Sequence, residues 1–282
     1  MQRPMTSTPT TRHIVFSHAN SFPAGTYQAL FEHWRERGYT VHAIEQYGHD
    51  QRYPVTPNWP HLVKQLHAFV DKNVGEPVYL VGHSLGGYLS LMLASQHPSC
   101  ALGVVVMDSP ILHGWRSAAM GFAKRMDLMG RVMPSRVAVK RTHEWPSRQA
   151  AHQHFAGKPK FAAFHPQVLD DYLAHGLHPH PGHVSVGLSY RREVEAAIYN
   201  TMPHNLLKDF RKHPHKCPLA FIAGSESREL HQVGLQGTRA LFGGNISWVS
   251  GSHLYPMERP TEASQEVLRW LERFKTMKAS PR

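Results

Sequence analysis

Short apolar runs alternate with amphipathic stretches along most of this 282-residue chain, and that rhythm restricts the folds open to it more than any other feature. "HIVFSH" (13–18) reads as a buried strand. "AGTYQALFEHWRERG" (24–38) follows as a helix with Tyr27, Leu30, Phe31 and Trp34 on one face and Gly38 at its end. "TVHAIEQYGHD" (40–50) gives a second strand and a polar loop, and "NWPHLVKQLHAFVDKNVG" (58–75) a helix with Leu62, Leu66, Phe69 and Val70 at helical spacing. "PVYLVGHS" (77–84), "LGGYLSLMLASQHP" (85–98) and "ALGVVVMDSP" (101–110) continue as strand, helix and strand. Such alternation predicts a mostly parallel sheet joined by right-handed crossovers, with helices on both faces. The strands are apolar almost throughout, as expected where both faces are covered.

The rhythm fails between Leu112 and Lys216. That segment holds helix-like stretches ("WRSAAMGFAKRMDLMGRVM", "PQVLDDYLAHGL", "RREVEAAIYNTM") between Pro-, Gly- and His-rich links, and no convincing buried strand. The alternation resumes with the strand "CPLAFIAGS", the helix "RELHQVGLQGTRALFG", the strand "NISWVSGSH" and the helix "PTEASQEVLRWLERFKTM". The expectation is one α/β domain built from residues 1–111 and 217–282, interrupted by a helical insertion at 112–216. The insertion carries 16 Lys and Arg against 7 Asp and Glu, a net of +9 out of +11 for the whole chain.

A field of that sign attracts anions. Its cations stand singly or in pairs among acids with no aromatic-interleaved motif, so the reading favours a solvated cationic face, an anionic small molecule at most, and no nucleic acid. No apolar run is long enough for a membrane span. The N-terminus passes from a polar tail straight into a strand with no apolar signal-peptide core, which points to the cytoplasm. Cys100 and Cys217 are too few for a disulfide framework or a metal quartet and read as reduced thiols. His175, His178, His180 and His183 crowd one segment, but the prolines there deny them helical i, i+4 geometry, and an adventitious surface cluster is the better reading.

The chemistry concentrates in Gly82-His83-Ser84-Leu85-Gly86, a G-x-S-x-G at a strand-to-helix junction. The turn must be sharp enough to lift the serine hydroxyl above the sheet, and glycines flank it because side chains there would strike the neighbouring strand and helix. The plainer alternative is a Gly-rich turn with a helix-capping serine. In this setting the chain resembles the α/β-hydrolase superfamily, from Arg12 to about Met277 outside the insertion. The insertion falls where such enzymes carry a helical cap.

The resemblance implies a nucleophilic Ser84 and a base in the order Ser, acid, His. Among 23 histidines, His253 in "VSGSHLYPMERP" holds the family's position, after the last strand and before the last helix; a structural loop histidine is the alternative. Acyl attack needs two N–H donors for the oxyanion. Leu85 N–H at a helix N-terminus is one, and His18-Ala19-Asn20 resembles the family's His-Gly-x loop, with Asn20 N–H as the second. An Asx turn at Asn20 accounts for the same residues.

The acid departs from the common pattern. The usual Gly-x-x-Asp reads Gly224-Ser225-Glu226-Ser227 here, with a serine at the acid's position. Some members take the acid from the strand after the elbow helix, where this chain has Asp108. Asp108 is therefore the leading candidate, with Glu226, Glu229 or a Ser–His dyad as alternatives, and helix capping as its structural role. The implied function is a cofactor-free serine hydrolase acting on an ester or related acyl bond of a small molecule. C–C bond, lactone and thioester hydrolysis share the same machinery, and a non-catalytic receptor shares the same fold. His83, beside the serine, and Trp145, with Phe155, Phe161, Phe164 and Tyr172 in the insertion, are candidates to touch substrate.

Overall fold

A computed structural model of the chain describes residues 12–114, 117–119 and 135–279. Six strands form one parallel sheet: β1 (His13–Ser17), β2 (Thr40–Ala43), β3 (Val78–His83), β4 (Ala101–Met107), β8 (Leu219–Gly224) and β9 (Ile246–Val249). Three shorter ones lie between β4 and β8: β5 (Glu144–Trp145), β6 (Leu177–Pro179) and β7 (Val186–Leu188). The main sheet runs β2-β1-β3-β4-β8-β9, so the strands carrying Ser84 and Asp108 at their ends are direct neighbours.

Successive residues of these strands enter opposite cores. Ile14, Phe16, Val81, Val105, Met107 and Ile222 bury on one face, and Val15, Leu80, Val104, Val106 and Phe221 on the other. This is why the apolar runs are continuous. The first core is closed by α1 (Gln28–Glu36) and the C-terminal helix Pro260–Ala279, tied together by Trp34 Nε1 donating to Ser264 O at 3.3 Å. The second is closed by α2 (Pro60–Asn73) and α3 (Leu85–Gln96). Helix α3 is buried on nearly every side, which suits its almost wholly apolar sequence.

The segment between β4 and β8 is not purely helical, contrary to the sequence reading. Strands β5, β7 and β6 pair in an antiparallel sheet, and β6 and β7 form a hairpin that contains the "HPHPGH" run, with Gly182 turning at φ +76°. At two or three residues each, these strands are too short to leave a periodic signal. Helices Pro166–Gly176 and Arg192–Asn200 fit the helix-like pattern and Arg148–Ala156 adds a helix it did not name, whereas all but 117–119 of the expected helix "WRSAAMGFAKRMDLMGRVM" lies outside the described residues. Cys100 and Cys217 form no disulfide. Among the described residues no helix is long and apolar enough to cross a membrane.

Candidate active site

Ser84 follows β3 with φ +52° and ψ −114°, a conformation L-residues rarely adopt, and α3 begins at the next residue. The flanking glycines make this turn possible. A Cβ on Gly86 would lie 1.9 Å from Ser17 O, and one on Gly82 would lie 2.2 Å from Gly86 O, so no side chain fits at either position. Ser84 is partly open to solvent.

Asp108, one residue past β4, is fully buried and also has positive φ (+49°). Among the described residues its carboxylate caps no helix in its own segment. Oδ1 accepts from Gly224 N–H at 3.1 Å; Oδ2 accepts from Ser227 Oγ at 2.5 Å and from His253 Nδ1 at 2.6 Å. The Ser227 hydroxyl thus holds the Asp108 carboxylate, and its Oγ also accepts from Leu230 N–H at 3.1 Å to start the next helix. Because an ionised carboxylate only accepts, the proton of His253 sits on Nδ1 and leaves Nε2 basic. Among the described residues no hydrogen bond joins Ser84 Oγ to His253, a contact that commonly tightens only when substrate binds.

The alternative acids fall elsewhere. Glu226 is exposed, and its backbone N–H donates to Gly251 O. Glu229 comes nearer: its carboxylate, a ring nitrogen of His253 and a carboxylate oxygen of Asp108 lie within 4.8 Å of one another, but Asp108 alone makes the hydrogen bond.

Leu85 N–H and Asn20 N–H are both free of protein acceptors among the described residues. The Asn20 loop is fixed from two sides. His18, fully buried, accepts from Tyr47 N–H at Nε2 (3.0 Å), so its Nδ1–H donates to Ala19 O (2.8 Å); Asn20 Nδ2 donates to Glu195 O (3.1 Å), in helix Arg192–Asn200 of the insertion.

His83 is fully buried with both ring nitrogens engaged, so it faces the interior rather than the cleft. Ala19 N–H donates to Tyr27 Oη at 3.1 Å, which leaves the Tyr27 O–H to donate to His83 Nδ1 at 2.8 Å; His83 Nε2–H then donates to His253 O at 2.9 Å. One chain of hydrogen bonds therefore joins the Asn20 loop, the Ser84 turn and the His253 loop. Burial keeps His83 neutral, which that chain requires. Tyr27 carries no sequence signal beyond its apolar helix face. Trp145 is likewise buried, packed against His154 and Phe155 with no hydrogen bond at Nε1. A cavity of about 1210 Å³ lies near Phe210, Lys216 and Phe242 and touches none of Ser84, Asp108 and His253.

These buried histidines set a pH dependence. Burial lowers the pKa of His18 to about 4, whereas in the unfolded chain it titrates near 6.5. Between those values the unfolded state binds a proton that the native state does not. Stability is therefore complete above about pH 6.5 and falls as the pH drops towards 4, by about 3 kcal/mol for this group alone. Tm should be lower at pH 5 than at pH 7.5, and His18→Gln should flatten that difference while lowering Tm at pH 7.5. An unchanged slope in the variant would contradict the assignment.

A family model described as serine aminopeptidase, S33 matches residues 8–180. Among curated proteins, Arabidopsis thaliana pheophytinase, chloroplastic, is 41% identical over 51 residues, 18% of this chain and 10% of that protein. Rattus norvegicus monoglyceride lipase is 28% identical over 129 residues, 43% of each. The chain thus spans less than half the length of these relatives. The crystal structure of E-2-(acetamidomethylene)succinate hydrolase superposes with a TM-score of 0.74 at 18% identity, covering 93% of this chain and 92% of that one, a likeness of fold. With its six-stranded parallel sheet, its Ser84 turn and a family match over more than half its length, the chain belongs to the α/β-hydrolase superfamily, in the family described as serine aminopeptidase, S33.

Proposed function

We propose that this hydrolase cleaves a carboxylic ester or related acyl bond of a small molecule through an acyl-enzyme on Ser84, with Asp108 as the acid of the triad. Residues 1–111 and 217–282 form its core, and 112–216 act as the cap over the site. The observation that carries the reading is the 2.6 Å hydrogen bond between His253 Nδ1 and the buried Asp108, beside the strained Ser84 turn.

The chemistry follows from those positions. His253 Nε2 takes the Ser84 proton as Oγ attacks the acyl carbon, and Asp108 stabilises the imidazolium. Leu85 and Asn20 N–H groups hold the oxyanion. The tetrahedral adduct collapses as His253 returns the proton to the leaving oxygen. His253 then removes a proton from water, which attacks the acyl-enzyme and releases the acid and Ser84. The matched relatives include a monoglyceride lipase and a pheophytinase, which supports acyl chemistry without selecting a substrate.

A series of p-nitrophenyl esters from acetate to laurate tests this reading. A burst of p-nitrophenolate followed by slower turnover is expected, and the acyl length with the highest kcat/KM reports the depth of the cleft. No turnover with any of them, in protein whose Ser84 fails to react with a fluorophosphonate, would overturn it.

A further inference from the structure

Lys160 stands apart from the other cations of the insertion. It lies in the short helix Pro159–Ala162, and its Nζ sits 5.2 Å from the centre of the Phe22 ring, two residues beyond Asn20. Phe22 in turn packs against Phe161, Phe164 and Tyr172 in a buried aromatic cluster. Arg141 has a carboxylate partner: its Nη1 lies 2.7 Å from Glu195 Oε2, and its Nη2 donates to Tyr172 Oη at 3.3 Å. Lys160 has none. Among the described residues no carboxylate comes within 4.0 Å of its Nζ, although Glu195 and Glu229 are close enough to act on it.

Lys160 is exposed, with protein packed densely around its ammonium end. That crowding, with the like charges of Arg141 and Lys158, pulls its pKa below the ordinary lysine value. Its charge is felt at His83, the residue beside Ser84. A cation flanked by like charges, with no carboxylate in pairing distance, gains a partner when an anion arrives. Glu195 is already occupied by Arg141, and Glu229 stays beyond pairing distance, so no carboxylate among the described residues pairs with Lys160.

We propose that the cleft takes an acyl substrate bearing a carboxylate, with Lys160 binding that carboxylate. The inference rests on Ser84 being the nucleophile and adds the substrate's charge.

The test is protection of Ser84 from a neutral fluorophosphonate. Monomethyl esters of C4 to C8 dicarboxylic acids are compared with methyl esters of the monocarboxylic acids of equal length, each protein normalised to its own unprotected labelling rate. For wild type, the best acidic ester should give half-protection at a concentration roughly 10- to 100-fold lower than its neutral counterpart, the range for a charge-assisted contact. Lys160→Gln should bring that ratio to about one, Lys160→Arg should retain most of it, and Lys158→Gln should leave it in place, because Lys158 Nζ lies over Phe155 instead. A wild-type ratio near one, or a ratio that survives in Lys160→Gln, would overturn the inference while Ser84 labelling stands. Absence of Ser84 labelling would instead overturn the hydrolase reading and the inference with it.

Discussion

Ser84→Ala should lower kcat by about 10⁶-fold, the loss found when a serine nucleophile is removed from an intact triad. No neighbouring group can substitute for it. His253 Nδ1 is committed to Asp108, both nitrogens of His83 are engaged, and Ser109 Oγ donates to Ser84 O at 2.7 Å instead of facing the cleft. The fold should survive, because alanine keeps the Cβ that the turn already holds at φ +52°. Tm within a few degrees of wild type, together with loss of turnover, separates a missing nucleophile from a collapsed turn. Turnover within tenfold of wild type would show that Ser84 only caps α3.

Asp108→Asn should lower kcat by about 10⁴-fold with little change in KM. The side chain is nearly isosteric. If its Oδ1 continues to accept from Gly224 N–H, its Nδ2 faces His253 Nδ1 as a donor. That contact moves the histidine proton to Nε2, where it can no longer accept the proton of Ser84. Ser227 can tolerate the exchange by turning its O–H, since Oγ still accepts from Leu230 N–H. Glu226→Gln should leave kcat within about twofold, because Glu226 is exposed and its carboxylate makes no contact with His253. If Glu226→Gln carries the larger loss, the acid has been assigned to the wrong strand.

Much of this was legible in the sequence where topology places residues. Alternating apolar runs predict a parallel sheet, whereas Asp108 is reached through the resemblance to the α/β-hydrolase superfamily, whose usual acid position holds Ser227 here and some of whose members take the acid from the strand after the elbow helix. The part of Ser227 itself was not legible, because a hydroxyl that caps a helix and holds a remote carboxylate has no local signature. Tyr27 and His83 were hidden for a related reason. Their hydrogen bonds join residues 56 and 170 positions apart, and nothing in either local pattern encodes that contact. The β5-β7-β6 sheet was missed because its strands are too short for periodicity, and Lys160 because an unpaired charge is a property of its surroundings.

The most direct test of the triad is the site and rate of fluorophosphonate modification, read by mass spectrometry of the digested protein. The account predicts one adduct, on Ser84, formed in wild type and Glu226→Gln at similar rates and slowed by about 10³-fold or more in Asp108→Asn. An adduct on another residue, or labelling of Asp108→Asn at the wild-type rate, would contradict it.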